Sequence, residues 1–328
     1  MERKGRHRGE DTMNCTAIRA EDGRRITLPQ PVGLELKCTC SSPARQATLT
    51  FGIETPLPLL AQLQIEQYAR RTPLFSGAID EQVFSCGQSG PRVMLSARSL
   101  GGALLDYEAL PASYNQPDLQ AIFLLHAAPY GLSSVRGEGR CPGVYQVGKG
   151  QSEWEVLTDF CAYVCGWQPR VTKDGILEAC PPGQDACHLF SNEQYGGIRY
   201  SSLKRIHRPY GVIHEVRYRP DRESGYAYAM QQPEPSTATA RRFLNLAQSP
   251  AWRGRREAEL LLQRSLSGSE ELVLEAPFSF AGELGDAASA PDGLCAPVRK
   301  DWCIWSLCYH WRPSDIGCTV TLRPKTHF

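Results

Sequence analysis

The sequence predicts an α+β chain, mostly β, with two barrel-like antiparallel β modules flanking a small α/β insert domain. Three observations predict it. Apolar and polar residues alternate with period two in short runs between residues 25 and 97 and again from residue 198 onward. That is the spacing of a half-buried strand, whose successive side chains point to opposite faces. Helical periodicity is confined to a few segments, most of them in the middle third. Gly and Pro punctuate the runs, as strand-connecting turns require.

At 328 residues and 41% hydrophobic, the chain is long enough for two or three domains with cores of their own. Its 36 basic and 35 acidic side chains leave a net charge of +1, so no global field recruits nucleic acid or an anionic membrane. No run approaches the roughly 18 uninterrupted apolar residues of a membrane span, and the polar start Met1 to Gly9 lacks the apolar core of a signal peptide. A soluble protein made in a cytoplasm is the expectation. The thirteen cysteines are odd in number and mostly embedded in apolar runs such as Phe160-Cys161 and Trp302-Cys303-Ile304. They read as reduced core residues, not as a disulfide framework.

Residues 1–22, with Arg3, Lys4, Arg6, His7 and Arg8, are expected to form a flexible basic N-terminal arm. Residues 23–97 form the first β module: Leu34 to Cys40, Ala47 to Phe51, Leu63 to Tyr68, Thr72 to Gly77 and Val93 to Ala97 read as strands. Residues 98–197 form the insert. Leu119, Ile122, Phe123 and His126 share one face of a helix over Asp118 to Ala128, and His126 reads as a hydrogen-bonded boundary residue. Glu153 to Cys165 is the best-specified helix, with Ser152 and Glu155 as a capping box and Gly166 as the stop. Lys173-Asp174-Gly175 then turns a hairpin between Pro169–Thr172 and Ile176–Ala179.

Residues 198–328 form the second β module, with strands at Val212 to Tyr218, Tyr226 to Met230, Leu272 to Ala276, Trp302 to Trp311 and Cys318 to Leu322. Its one helix, Arg253 to Leu266, follows a Pro/Ser/Thr-rich linker, Gln231 to Thr239. Residues 198–230 are also candidates to return and complete the first module.

The sequence assigns no catalytic residue, cofactor or metal. There is no G-x-S-x-G elbow, phosphate loop, dinucleotide fingerprint or His-Glu-x-x-His pattern. Glu270-Glu271, the closest paired carboxylates, sit beside Ser and Gly and read as solvated loop charges. Cys38-x-Cys40, Cys161-x3-Cys165 and Cys303-x4-Cys308-x-His310 lack paired Zn²⁺-ligand spacing, and in a regular strand Cys303 and Cys308 point to opposite faces. The best remaining metal candidate is Cys180, Cys187 and His188 on a Pro/Gly-rich loop, where only three ligands are local.

Four stretches carry a resemblance over about residues 60–325. They are Phe75-Ser76-Gly77-Ala78-Ile79-Asp80, and Val93-Met94-Leu95-Ser96-Ala97-Arg98-Ser99-Leu100. The third runs from Gln151-Ser152-Glu153-Trp154 to Gly166 and on through Thr172-Lys173-Asp174-Gly175-Ile176-Leu177. The last is Asp301 to His310 with Asp315 to Leu322. In order and spacing they resemble the phage tail-hub proteins of the late control protein D and Mu-type baseplate hub family. Gly77, Arg98, Trp154, Gly175 and His310 are the positions that match its pattern.

The resemblance implies a non-catalytic structural protein of the virion tail, assembled in the host cytoplasm. It implies a homotrimer whose barrel modules form a ring between the tail tube or distal tail protein and a central spike, in contact with the tape-measure protein. Nucleic acid would meet it only in passing through a central channel. A tail-associated cell-wall hydrolase and an adaptor of a related contractile injection or secretion system are the alternatives. The basic leader, the cysteine count and the loop from Cys180 to His188 depart from the family's pattern.

Overall fold

A computed structural model describes residues 13–67, 73–88, 90–183, 186–222, 225–232, 240–247, 251–292 and 301–327. The chain is mostly β, with a few short helices. Seven strands open it: β1 Met13–Arg19, β2 Arg25–Thr27, β3 Gly33–Thr39, β4 Gln46–Gly52, β5 Leu60–Gln67, β6 Phe75–Gly87 and β7 Gly90–Arg98. Their burial alternates as their sequence does. In β4, Ala47, Leu49 and Phe51 are fully buried while their neighbours face outward.

β1 lies inside the segment expected to be a flexible arm. Met13, Cys15 and Ala17 alternate with polar residues and are buried against β5, in register from Met13 opposite Gln67 to Ile18 opposite Gln62. The basic character that suggested an arm belongs to residues 1–12, which lie outside the described residues.

The insert follows, with α1 Ala103–Asp106, β8 Ala112–Asn115, α2 Leu119–His126, β9 Ser134–Gly137, β10 Val144–Val147, α3 Glu153–Phe160, β11 Arg170–Val171 and β12 Ile176–Ala179. The capping box of α3 is present in both directions: Ser152 Oγ accepts from Glu155 N, and Glu155 Oε2 accepts from Ser152 N at 2.7 Å. The helix runs on as a π turn, Cys161–Cys165, and stops at Gly166 with φ 87°. Leu104, Ile122, Phe123, Tyr145, Leu157 and Phe160 form part of a core separate from that of the β modules.

The remainder comprises β13 Cys187–Leu189, β14 Leu203–His207, β15 Ile213–Arg219, β16 Tyr228–Gln231, β17 Ala240–Asn245, α4 Ala251–Leu266, β18 Glu270–Ala276, β19 Ala287–Ser289, β20 Trp302–Arg312 and β21 Asp315–Pro324. The first and last β segments share one 13-stranded sheet, joined where β3 pairs with β20 from Thr39 opposite Ser306 to Leu34 opposite Trp311. One core accordingly runs through both, from Leu36 and Phe51 to Leu272, Tyr309 and Val320. A part-buried ion pair between Arg45 and Glu283 crosses the same junction.

Residues 198–230 do not complete the first module. β14 pairs with β18 at the other end of the large sheet, and β15 builds a separate sheet with β16 and β17. α4 covers that small sheet, burying Ala258 and Leu262 against Ile213 and Val216. Glu270 and Glu271 are not loop charges. They start β18 and pair with Arg205 and with Arg208 and Arg323, because the strand begins two residues before its apolar run.

Cys303 and Cys308 also differ from expectation. A bulge between Ile304 and Ser306 shifts the strand by one residue, so Trp302 and Ile304 are buried before it and Leu307 and Tyr309 after it. The bulge puts the two cysteines on one face. At about 3.3 Å per residue they remain roughly 16 Å apart, too far to share an ion.

Gly77 is where β6 passes closest to β7: a Cβ built there would lie 2.1 Å from Arg98 O. Gly33, also in a strand, has nothing within 4 Å of the same position. Gly77→Ala is therefore expected to lower the unfolding free energy in urea by about 1–3 kcal/mol or more, and Gly33→Ala to change it by less than about 0.5 kcal/mol. Equal effects from the two would contradict the close approach.

Candidate functional site

Three of the five pattern positions meet at one place. Gly77, Arg98 and Gly175 line a cleft of about 690 Å³ between the first β module and the insert. One wall is the start of β6, with Leu74, Phe75 and Asp80; the opposite wall holds Leu132 and the β11–β12 hairpin turn at Lys173-Asp174-Gly175. Gly175 makes this turn possible through its φ of 74°, a region closed to most side chains.

Arg98 ends β7 at the entrance to the insert and joins both sides. Nε and one NH2 group donate to the two carboxylate oxygens of Asp80 at 2.8 and 2.9 Å, and the guanidinium also holds both oxygens of Asp106 at 2.8 and 3.0 Å. A planar fork engaging two carboxylates is a geometry that lysine cannot reproduce. The hydrogen bonds from Arg98 hold the Asp106 carboxyl below the usual carboxylate range, and those from Asp80 and Asp106 raise the guanidinium further above its own. The arrangement ties the end of β7 to β6 and to α1. Its two acids are both paired with Arg98.

Trp154 is buried in the insert core at the first turn of α3. Beside it lies a network that composition did not reveal: His126 Nδ1 meets Glu153 Oε2 at 2.6 Å, His126 Nε2 meets Tyr114 Oη at 3.2 Å, and Tyr130 donates to Glu153 Oε1 at 2.8 Å. His126 is thus a buried, hydrogen-bonded residue at the α2–α3 contact. Glu153 occupies the first turn of a helix, where a carboxylate is favoured.

His310 lines a second, smaller hollow of about 350 Å³ on the second module, 3.2 Å from Asp315 and 4.0 Å from Glu275. Gly317 is placed directly opposite it in the β20–β21 register. Cys180, Cys187 and His188 do not converge. The Cys180 Sγ accepts from Arg170, the exposed Cys187 lies opposite Ala287, and His188 Nε2 bonds Asp286 at 2.8 Å. Among the described residues no group of three or more His, Cys, Asp or Glu is placed to hold a metal ion.

The twelve described cysteines are free thiols. Burial pushes Cys15 up to about 12 and Cys38 up to about 11, which suits packing and not nucleophilic chemistry. Cys161 and Cys165, one π turn apart, share a hydrogen bond that lowers Cys165 and raises Cys161.

No family model and no curated protein matches the sequence. Solved structures do match its fold, along nearly the whole chain. The tail protein from Neisseria meningitidis MC58 superposes with a TM-score of 0.71 at 14% identity, covering 95% of this chain and 96% of that one. The 43 kDa tail protein of prophage MuSo2 from Shewanella oneidensis gives 0.72 at 12% identity, covering 96% and 98%. The E. coli c3393 protein, a component of the type VI secretion system with structural similarity to the T4 bacteriophage tail proteins gp27 and gp5, gives 0.57 at 11% identity over 90% and 73%. The chain has the fold of these tail and secretion-system proteins.

Because Asp106 is lowered in the folded state, its ion pair contributes stability above the carboxyl's ordinary pKa, near 4, and loses it as the pH falls through the folded value. Asp106→Asn is expected to be less stable than the parent at pH 7 by under about 1 kcal/mol, since the pair is half exposed and screened. The gap should close as the pH drops below about 4 in a series of urea titrations. A gap unchanged to pH 2 would contradict the pairing.

Proposed function

We propose that this protein is a structural hub subunit of a phage or phage-like tail. Three copies form a ring that adapts the tail tube to a central spike. The observation that carries this reading is the match of fold over almost the full length of both chains to two tail proteins, one of them from a prophage, since a shared domain alone would cover only part of each. The architecture suits the work. A ring adaptor has to transmit force without deforming, and a sheet that joins the first and last thirds of the chain through β3 and β20 leaves few independent parts to move.

Chemistry in the cleft supports the same conclusion. Arg98, Asp80 and Asp106 satisfy one another and hold two domains in place. The function is geometry, and turnover is not part of it.

Light scattering combined with negative-stain imaging tests the proposal, first on the purified protein at micromolar concentration and then with the cognate spike protein added. A ring of three copies in either sample is the expected result. A monomer in both would overturn it.

A further inference from the structure

The charge of this nearly neutral chain is strongly segregated. Residues 99–198 hold five Lys and Arg against eleven Asp and Glu, a net −6, whereas residues 199–247 hold nine against four, a net +5. Each region also exposes large apolar side chains beside its charge. In the insert, Leu105, Tyr107 and Leu110 lie in the open next to Asp106 and Glu108, with Leu110 79% exposed. In the small sheet, Phe243 is 58% exposed, with the ring of Tyr226 packed edge-on against it and the Arg219 guanidinium over Tyr226.

The register shows which face of the small sheet this is. Val216, Tyr218, Met230 and Leu244 pack toward α4. Arg217 is directly opposite Phe243, and Glu215 opposite Arg241, so these alternate residues belong to the face turned away from α4. Glu215 is the carboxylate between Arg217 and Arg241, so that arginines still outnumber acids on this face.

Within one chain the two patches are anchored at different points along one helix. The acidic, apolar segment is tied to the N-terminal end of α3, where Glu153 N donates to Tyr107 O and Ala109 N to Gln151 O. The small sheet is tied to the other end through α4: Arg253 pairs with Asp159 and stacks on Tyr163, and Arg256 donates to Ala162 O. From Glu153 to Asp159, Ala162 and Tyr163 is six to ten residues, or about 9–15 Å of helix. Two complementary faces at opposite ends of one rigid element make a head-to-tail contact between copies, which closes into a ring if the rotation permits.

We propose that the segment Leu105 to Leu110 of one copy docks on the outer face of the β15–β16–β17 sheet of the next. Its apolar side chains pack on Phe243 and Tyr226, and the exposed Glu108 carboxylate faces Arg217, Arg219 and Arg241. The proposal rests on the ring-forming reading and assigns the faces that form the ring.

Charge exchange tests it. Glu108→Lys with Leu110→Lys inverts one face, and Arg219→Glu with Phe243→Glu inverts the other. Each pair is expected to weaken self-association about 100-fold or more, while circular dichroism and thermal unfolding remain those of a folded chain. Combining all four substitutions in one chain should restore assembly, because both faces of a heterologous contact are then reversed together. Mixing the two single-face variants should restore association that neither shows alone, since every contact between them joins two unaltered or two reversed faces. Trimers that survive both single-face variants at unchanged concentration would overturn this assignment and leave the ring itself standing. A wild-type chain that never assembles would remove both.

Discussion

Everything in the molecule depends on the pairing of β3 with β20, a contact between residues about 270 apart in sequence. It turns an N-terminal and a C-terminal β segment into one sheet with one core, and it makes the insert and the small sheet into appendages of a closed frame. Closing so long a loop costs conformational entropy that grows only slowly with its length. The six paired positions therefore need not provide it alone. Leu36, Tyr309 and Leu307 are essentially fully buried at this junction, each worth roughly 1.5–3 kcal/mol relative to exposure. Cys40 N adds a hydrogen bond to Trp305 O at 3.0 Å.

The frame explains the pins attached to it. Arg98 ties α1 to the first module through Asp80 and Asp106, and Arg170 holds the end of the β11–β12 hairpin, bonding Glu178 and Cys180 O. Gly285, with φ 86°, lies so close to Arg170 that a Cβ would come within 2.5 Å of its Nε. Arginine serves at these places because a planar fork can satisfy two or three acceptors while remaining charged. Arg98 and the hairpin turn at Gly175 thus line one cleft.

Much of this was legible in the sequence because the signals are local. Ser152 and Glu155 announced the start of α3, Gly166 its end, and Lys173-Asp174-Gly175 the hairpin turn. Period-two burial in β3, β4 and β7 followed directly from the alternation of Leu36, Leu49 and Leu95 with polar neighbours. What was not legible is non-local or arises from a single extra residue. No periodicity pairs Leu36 with Tyr309. The bulge after Ile304 reverses the parity of the rest of β20 without any Gly or Pro to mark it. β1 was masked by the basic residues before it, and β15 found its neighbours in β16 and β17 because α4 offers its Ala258 and Leu262 as a cover. Of the candidate site, Gly77, Arg98 and Gly175 were visible as pattern, but Asp80 and Asp106 as partners of Arg98 were not, since their meeting depends on how the insert docks.

The claim that the two β segments form one frame is tested most directly by native-state hydrogen exchange at the amides of β3, β4, β20 and β21. The account predicts that they exchange together, through one opening whose free energy and denaturant dependence match global unfolding. Exchange of β20 and β21 through a separate opening of markedly lower free energy, with β3 and β4 still protected, would contradict it.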